Sequence, residues 1–543
     1  MGQLHGTADV NAIEAPVTFK AYLMCAFASF GGIFFGYDSG YINGVAASRE
    51  FIEAIMGPGA TALSSSRSQL ITSILSAGTF FGALIAGDLA DMMGRRPTII
   101  AGCGIYLAGV VIQMFAASAL ATIVVGRLVA GFGVGFVSAI IILYMSEICP
   151  RKIRGALVSG YQFAITIGIM LASIVCNYTK NRLDSGSYRI PIGLQFAWGI
   201  ILATGLFILP ESPRYFVRKG ELDHARDVLV RLRGQSPTSQ LIEVELAEIV
   251  ANHEVEKAAM PTTSWFGSWA ACFSGSVWEA RSNLRRTILG TSLQMMQQWT
   301  GVNFIFYYST AFLASTGAIQ DAFLTSMIFT IVNVCSTPIS FYTVEKFGRR
   351  PLLIWGAFGM LICQFIVAIV GVTVGFNKTY INEAGDSVAR NIGAVNAQVA
   401  FIAIFIFFFA STWGPGAWVL IGEIFPLPIR SRGVALSTAS NWLWNTIIAV
   451  ITPEMTGTDK GNMRSSVFFV WGGLCTCAFV YAYFLVPETK GLSLEQVDQM
   501  FAEVSPRHSA KWKPTHTYAQ ETGKVGAEVE HLEKKRDLEE VEV

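Results

Sequence analysis

The chain contains 543 residues, of which 52% are hydrophobic and 14% are charged. This composition excludes a water-soluble protein of such length, because apolar segments of bilayer-spanning length recur along the whole chain. The formal net charge of +1 gives no sign of a charged partner, and no nucleic-acid partner is predicted.

Each apolar segment approaches the roughly 20 residues that a helix needs to cross a bilayer core. We therefore predict an all-α membrane protein with twelve spanning helices that contact the lipid bilayer. Their expected bounds are 21–45, 69–90, 97–117, 120–146, 155–178, 191–210, 287–314, 322–344, 351–376, 395–422, 433–452 and 465–486.

Polar segments divide these helices into two halves of six. The predicted parts are a polar tail (1–20), a first half (21–210), a linker (211–285), a second half (286–486) and a closing polar tail (487–543). The linker is charged and has helical periodicity, which predicts short amphipathic helices. The closing tail begins with a helix-capping pattern, Ser493-Leu494-Glu495-Gln496.

Positive charges concentrate in every second short loop, at 95–96, 151–154, 346–350 and 430–432. The positive-inside rule places these loops, the linker and both termini in the cytosol. Two sequons, which begin at Asn177 and Asn377, then fall in external loops and are candidate glycosylation sites.

Three motifs of the first half return in the second half in the same order. Residues 91–97 (DMMGRRP) return at 345–351 (EKFGRRP), 147–155 return at 423–433, and 210–214 (PESPR) return at 487–491 (PETKG). Two parallel six-helix halves with a site between them are typical of the major facilitator architecture.

Acidic and basic residues alternate at the helix ends in these motifs, which predicts ion pairs that hold one conformation and separate in another. The alternative is that Gly-Arg-Arg only fixes the membrane topology. A single copy of the motif would fit this alternative, but three motifs paired between the halves favour a gating role. The predicted gating charges are Asp91, Arg95, Arg96, Glu147, Arg154, Glu211, Arg214, Glu345, Arg349, Arg350, Glu423, Arg430 and Glu488.

Asp38 lies within the first apolar segment. An aspartate near the centre of a spanning helix costs about 3 kcal/mol on insertion, so it needs a compensating partner. Arg127, inside the fourth apolar segment, is the other intramembrane charge of the first half and its natural partner. The alternative is that Asp38 lies near the helix end and reaches interfacial water.

Amide and aromatic side chains cluster in the apolar segments of the second half. An amide both donates and accepts hydrogen bonds and so suits sugar hydroxyls, while aromatic rings cover the apolar faces of a sugar. Their other common role is to hydrogen-bond neighbouring helices together, and the residues alone favour neither role. In the tenth segment, Gly414-Pro415-Gly416 predicts a bend.

Six motifs occur in order: Gly87–Asp91 with Gly94–Arg96, Gly126-Arg127, Tyr144–Glu147, Pro210–Arg214, Gln297–Asn303 and Pro487–Gly491. With them the chain resembles the sugar porter family of the major facilitator superfamily, over most of its length. Lys20–Leu23 and Gly36–Tyr41 are similar to the fungal high-affinity hexose:proton symporters of that family.

The resemblance implies residues for a sugar and for a proton. The residues that match sugar-contacting positions are Phe35, Gln162, Gln297, Gln298, Asn303, Asn333, Trp418, Asn441, Trp442 and Asn445. In proton-coupled members the positions of Asp38 and Arg127 form a charged pair, whereas facilitative members commonly have a neutral residue in place of the aspartate. The presence of both charges here favours symport.

The resemblance further implies a monomeric, multi-pass plasma-membrane transporter that imports a monosaccharide with a proton by alternating access. We expect glucose as the main sugar and xylose as the second, because the spacing of Gly31, Gly32 and Gly36 resembles a pattern associated with xylose uptake. The alternatives are a sugar sensor of the same fold and a transporter of a polyol, inositol or quinate. The residues form no nucleophile–base set, phosphate loop or metal-ligand pattern, so no enzyme, cofactor or metal is predicted.

Overall fold

A computed structural model describes residues 18–46, 48–60, 63–115, 120–150, 153–179, 182–259, 265–279, 282–316, 322–381, 387–456 and 460–513. This part of the chain is a bundle of α-helices with one small two-stranded sheet. The closing residues of the predicted polar tail, 514–543, lie outside the described residues.

The first half and the linker are helical throughout most of their length. The first half contains α1 (Phe19–Ala28), α2 (Gly31–Ala46), α3 (Arg49–Met56), α4 (Ser65–Met93), α5 (Arg95–Phe115), α6 (Leu120–Ile148), α7 (Arg154–Thr179), α8 (Gly186–Gly193) and α9 (Gln195–Ile208). The linker contains short helices, as its periodicity predicts: α10 (Pro213–Lys219), α11 (Leu222–Arg233), α12 (Gln240–Ala259) and α13 (Trp265–Ala271).

The second half follows the same plan and ends in a capped helix. Its helices are α14 (Asn283–Trp299), α15 (Val302–Thr316), α16 (Ala322–Ser336), α17 (Ile339–Phe347), α18 (Arg349–Thr373), α19 (Ile392–Phe408), α20 (Gly414–Glu423), α21 (Arg430–Thr456), α22 (Val467–Leu485) and α23 (Leu494–Glu503). Strands β1 (Thr379–Ile381) and β2 (Ser387–Ala389) pair antiparallel between α18 and α19. The predicted capping pattern is confirmed as a capping box at the start of α23.

Nine helical segments of the described chain are long and apolar enough to cross a membrane, and the bent pair α16–α17 makes a tenth. The first and seventh predicted spans are each divided into two helices, α1 with α2 and α14 with α15. Every one of the twelve predicted spans therefore has a helical counterpart, although several are interrupted where the sequence predicts continuous helices.

The interruptions have local causes. Between α14 and α15, Gly301 has a φ of +81°, a left-handed conformation that favours glycine. Between α16 and α17 lies Pro338, which has no backbone N–H to continue the helix, and the pair is bent by 45°. Between α1 and α2, the hydroxyl of Ser29 donates to the carbonyl of Ala26 at 2.6 Å in competition with the helical pattern.

The tenth span has the predicted interruption, slightly earlier than expected. Residues Phe409–Trp413 form a π-helical turn immediately before Gly414-Pro415-Gly416. Single π-helical turns inside α-helices recur at functional sites. The interruption faces the interior, since all five of its residues are buried.

The two halves pack internally first and then against each other. In the first half α4 and α5 pack on α6, and α2 packs on α7. In the second half α18 packs on α22 and α19, and α14 packs on α21. The halves meet where α21 packs on α4 and where α20, α16 and α17 pack on α7.

Glycines of α2 bring its backbone against the backbone of α7. A methyl group added to Gly36 would overlap the carbonyl group of Ile165, and one added to Gly32 would overlap that of Tyr161. Small residues permit this close approach between membrane helices. The glycine-rich stretch around Asp38 therefore fixes the position of α2 against α7.

We predict that Gly36→Ala lowers the thermal stability of the detergent-solubilised protein, because overpacking costs about 1–3 kcal/mol. The matched control is Gly104→Ala in α5, where an added methyl group meets no atom within 4 Å. Melting temperatures from size-exclusion profiles of heated samples make the comparison. Equal melting temperatures of the Gly36→Ala variant and the wild type would contradict the close-packing account.

Candidate functional site

A cavity with about 650 Å³ of empty volume lies between the two halves. Nine of the ten residues predicted for the sugar line it: Phe35, Gln162, Gln297, Gln298, Asn303, Asn333, Trp418, Asn441 and Asn445. Side chains far apart in the sequence, from α2 and α7 to α21, are thus brought to one place.

Trp442, the tenth predicted residue, does not line this cavity but supports its wall. Its ring packs on that of Phe35, with ring centres 4.9 Å apart. Its indole nitrogen donates to the hydroxyl of Ser138 at 3.3 Å, across the boundary between the halves. The ring is fully buried in this conformation, and a contact of Trp442 with a sugar stays a prediction.

The interrupted tenth span positions the central glutamine. The amide nitrogen of Gln297 donates to the carbonyl oxygens of Trp413 and Gly414 at 3.0 and 2.9 Å. Asn441 then donates to the amide oxygens of Gln297 and Gln294 at 2.8 and 2.7 Å. Backbone carbonyl groups at the end of the π-turn thus orient Gln297 through hydrogen bonds.

Other cavity residues are held in pairs. The indole nitrogen of Trp418 donates to the amide oxygen of Gln162 at 3.2 Å, which joins the second half to the first. Asn303 bonds Gln298 within α14 and α15. Asn445 donates to the hydroxyl of Tyr307 at 3.1 Å. The same amides therefore join neighbouring helices and line the cavity, so the arrangement is compatible with both helix packing and sugar binding.

The cavity also has residues that the sequence reasoning did not assign to it. They are Ser39, Gly40, Ile165, Ile169, Val302, Phe306, Tyr307 and Phe409. Only Tyr307 carried a usable signal, as it lies four residues after Asn303 on the same helical face. The apolar members resemble lipid-facing residues in composition and carried none.

Asp38 and Arg127 both lie in the interior of the first half, with exposed fractions of 0% and 1%. The interfacial-water alternative for Asp38 is therefore wrong. Among the described residues, neither carboxylate oxygen of Asp38 has a hydrogen-bonding partner, so no hydrogen bond joins it to Arg127. Arg127 instead donates to the hydroxyl of Tyr41 at 2.6 Å and to the carbonyl of Ile71 at 2.8 Å.

The repeated charge motifs meet at one end of the bundle, which we call the charged end. Arg95, the first residue of α5, donates to Glu147 at 2.9 and 3.0 Å and lies 3.9 Å from Asp91. The hydroxyl of Ser212 also bonds Glu147. Arg214 donates to the backbone carbonyl of Glu147 at 3.0 Å. The buried pair is thus surrounded by the additional hydrogen bonds that such pairs need.

The second half repeats this arrangement at the same end. Arg349, the first residue of α18, donates to Glu423 at 2.9 Å and lies 3.5 Å from Glu345. The hydroxyl of Thr489 donates to Glu423 at 2.7 Å, in the place that the serine occupies in the first half. The internal repeat of the sequence is therefore a repeat of the same contacts.

Glu211 and Glu488 differ from the predicted ion pairs. Glu211 accepts the backbone N–H groups of the first two residues of α5 at 3.1 and 3.0 Å. Glu488 accepts those of α18 at 3.0 and 3.2 Å. Each carboxylate thereby satisfies free amide groups at a helix N-terminus, where the helix dipole favours a negative charge. Burial raises the pKa of the Glu211 carboxyl group above its ordinary value.

The helix starts that Glu211 and Glu488 cap also require the glycine of the Gly-Arg-Arg motif. Gly94 and Gly348 precede the two capped helices and have φ values of +104° and +93°, in the region that favours glycine. A methyl group on either residue would also overlap the carboxylate of Glu211 or Glu488. The motif thus combines a left-handed residue, a capping carboxylate from another segment and a buried arginine.

Arg96 and Arg350 also differ from the prediction, because their guanidinium groups form no ion pair among the described residues. Arg96 donates to the carbonyl of Phe207 at 2.9 Å, and Arg350 to that of Tyr483 at 2.7 Å. Each follows a buried arginine by one residue, so its side chain leaves the helix in a direction about 100° away.

The remaining two predicted charges lie at helix starts of the charged end. Arg430 donates from Nε to the carbonyl of Phe425 at 2.9 Å, and Arg154 is buried at the start of α7.

Further contacts at the charged end join the two halves. Arg432 of α21 donates to Asp88 and Asp91 of α4 at 2.9 and 3.1 Å. Glu345 accepts the backbone N–H of Ala156 in α7 at 3.1 Å. The sequence reasoning did not assign Asp88 and Arg432 to the gate, although both lie beside the repeated motifs. Their proximity depends on how the halves pack, which no motif encodes.

The candidate glycosylation sites have different surroundings. Asn177 is exposed near the end of α7. Asn377 lies after α18, and its side-chain oxygen accepts the backbone N–H of Ser465 at 3.2 Å. Glycosylation at both positions stays a prediction.

Comparisons with known proteins agree with this geometry. The family described as "Sugar (and other) transporter" matches residues 24–501. The chain is 44% identical over 538 residues to the major facilitator-type transporter ecdD of Aspergillus rugulosus, covering 98% of this chain and 96% of that one. It is 39% identical over 511 residues to the probable glucose transporter rco-3 of Neurospora crassa, covering 92% and 82%.

Among solved structures, the proton:xylose symporter XylE bound to 6-bromo-6-deoxy-D-glucose has a TM-score of 0.73 at 24% sequence identity. The match covers 89% of this chain and 99% of XylE. The family match and the 44% identical relative define a transporter of the major facilitator superfamily, with which the shared fold agrees. Within it, the chain belongs to the sugar transporter family, whose pattern matches most of its length. It is a multi-span membrane transporter and not an enzyme.

We predict that Arg432→Gln opens the charged end, because it removes the bonds from α21 to Asp88 and Asp91. Spin labels at the exposed positions Met92 and Phe347 report the distance between the halves by pulsed electron resonance. The variant should populate longer distances than the wild type.

The matched control for this measurement is Arg96→Gln, because among the described residues the Arg96 side chain donates to Phe207 of the first half and not to the second half. An Arg432→Gln distance distribution that coincides with that of the wild type would show that these bonds do not hold the charged end closed.

Proposed function

We propose that this transporter imports a monosaccharide together with a proton by alternating access, with glucose as its main substrate and xylose as its second. We place it in the plasma membrane as a monomer, with the charged end and both termini in the cytosol. The basic loops at 95–96 and 430–432 support this orientation through the positive-inside rule.

The observation that carries the proposal is the cavity shared by both halves. Its amides supply donors and acceptors in a confined apolar setting, as a sugar with many hydroxyl groups requires. The amide oxygen of Asn333 has no partner among the described residues and is available to a hydroxyl donor. Phe35 and Trp418 offer aromatic surface to the C–H faces of a sugar ring.

Alternating access is supported by the position of the cavity between the halves and by the bonds that join the halves at the charged end. The cavity is lined by both halves, so a change in their relative orientation changes its accessibility. Arg432, Asp88 and Asp91 bond across the halves at the charged end and hold that side closed. Separation of these bonds would open the cavity towards the cytosol, and a bound sugar would then leave.

Proton coupling is supported by the buried Asp38. Asp38 is fully buried, and its carboxylate oxygens have no hydrogen-bonding partner among the described residues, so its protonation responds to each change in its surroundings. Arg127 in the same interior supplies a positive charge that favours the ionised form. A conformational change that brings these groups together or apart therefore binds or releases a proton.

The choice of glucose rests on the relatives. The Neurospora relative is named a probable glucose transporter, and the XylE structure holds a glucose derivative. We extend glucose to this chain because the amide and aromatic residues of its cavity suit a hexose. Uptake into proteoliposomes of labelled glucose, xylose, a polyol, inositol and quinate tests the choice, and preference for a non-sugar would overturn it.

We predict that Asp38→Asn abolishes accumulation driven by a pH gradient but retains exchange of labelled for unlabelled sugar at equal pH. The amide cannot take up and release the proton, whereas the cavity is unchanged. Proteoliposome uptake with and without a pH gradient measures both activities. Asp184→Asn, an exposed aspartate paired with Arg182, is the control. Wild-type accumulation by Asp38→Asn would rule out its coupling role.

We also predict that Gln162→Ala weakens glucose binding about tenfold, which corresponds to the loss of one hydrogen bond worth about 1.4 kcal/mol. The control is Gln364→Ala, which removes another buried glutamine that donates to Thr300 and does not line the cavity. Tryptophan-fluorescence titration gives the affinities. Equal affinity losses in the two variants would favour a packing role for Gln162.

A further inference from the structure

The partner of Arg127 in this structure is a tyrosine. Nη1 of Arg127 donates to the hydroxyl of Tyr41 at 2.6 Å, and the guanidinium carbon lies 5.4 Å from the centre of the tyrosine ring. The Tyr41 hydroxyl in turn donates to the amide oxygen of Gln113 at 2.6 Å. Nε of Arg127 donates to the backbone carbonyl of Ile71 at 2.8 Å. Among the described residues, the buried arginine is therefore bonded to a hydroxyl and a backbone carbonyl and has no hydrogen bond to Asp38.

Tyr41 follows Asp38 by three residues and so lies on the same side of α2. The two residues are alternative acceptors for the same guanidinium group. While Asp38 is ionised, the carboxylate is the stronger acceptor, because hydrogen bonds between charged groups are about twice as strong as neutral ones. While Asp38 is neutral, the buried arginine still needs an acceptor, since leaving such a charge unpaired is strongly destabilising.

We propose that Tyr41, oriented by Gln113, is the residue that holds Arg127 while Asp38 carries the proton. This inference rests on the proposed proton symport. Tyr41 acts as a positioning residue, and it neither gains nor loses a proton. When the O–H bond of Asp38 breaks, the proton leaves to water on the cytosolic side, and Arg127 moves from the tyrosine hydroxyl to the carboxylate.

The acceptor determines how readily Asp38 takes a proton. Without the Tyr41 hydroxyl, the protonated state leaves Arg127 with one acceptor fewer, while the ion-paired state is unaffected. Proton uptake then needs a higher proton concentration, and the pH dependence of transport moves to lower pH. Among the described residues, the titratable and charged groups that act on Asp38 are Arg127 from α6, Tyr106 from α5, Tyr307 from α15 and Tyr41 itself. Cys176 of α7 contacts the backbone carbonyl of Tyr41 at 3.4 Å. Arg127 is the one basic side chain in this group.

The test is glucose uptake into proteoliposomes of the full chain as a function of external pH, together with exchange at equal pH. Tyr41→Phe should lower the half-maximal pH of gradient-driven uptake by about 1 to 2 pH units, the equivalent of a hydrogen bond to a charged group. Exchange at equal and low pH should persist. The matched control is Tyr37→Phe, one turn earlier in α2, whose hydroxyl donates to the carbonyl of Pro191 and should leave the pH profile unchanged.

Gln113→Leu provides a second variant that keeps the phenol and removes the amide that orients it. Gln113→Leu should also lower the half-maximal pH of gradient-driven uptake. It tests the proposal if Tyr41→Phe does not fold. A wild-type pH profile in whichever of the two variants folds would overturn the role of Tyr41. If the wild type itself shows no uptake driven by a pH gradient, the proposed symport fails instead, so the two failures are distinguishable.

Discussion

The structure depends on one constraint: a polar group inside a bundle of membrane-spanning helices has no water to bond, so its partner must come from the protein or the ligand. The cavity amides meet the constraint in pairs, as Asn441 does with Gln297. The interrupted tenth span meets it by giving its backbone carbonyl groups to the same glutamine. Asp38 does not meet it in this conformation, and this exception marks the residue for proton chemistry.

The same constraint explains the repeated motifs of the charged end. Each half buries an arginine at the start of a helix, pairs it with a glutamate and caps the helix with a second glutamate from a distant segment. These contacts lie within a half and keep it rigid. The bonds of Arg432 to Asp88 and Asp91 lie between the halves, so they must separate when the halves move apart at this end. Rigid halves joined by breakable contacts are what alternating access requires.

The sequence was sufficient for features that depend on local pattern. Apolar length predicted the spanning helices, ten of which the described chain shows when the bent pair α16–α17 counts as one span. The repeated motifs predicted the buried pairs of Arg95 and Arg349, and the family resemblance predicted nine residues that line the cavity. Features that depend on packing were beyond it: the breaks at Ser29 and Gly301, and the contribution of apolar residues such as Ile165 to the cavity wall. The predicted partner of Arg127 shows the same limit, because a tyrosine in an apolar helix carries no pattern that identifies it as a hydrogen-bond acceptor.

The central claim is that sugar and proton cross together, and the pH inside proteoliposomes tests it most directly. The wild-type protein is reconstituted with a pH-sensitive dye in the lumen, and glucose is added outside at equal pH and zero membrane potential. The account predicts acidification of the lumen that follows the entry of labelled glucose in time and disappears when a proton ionophore is present. Entry of glucose without any change of luminal pH would contradict it.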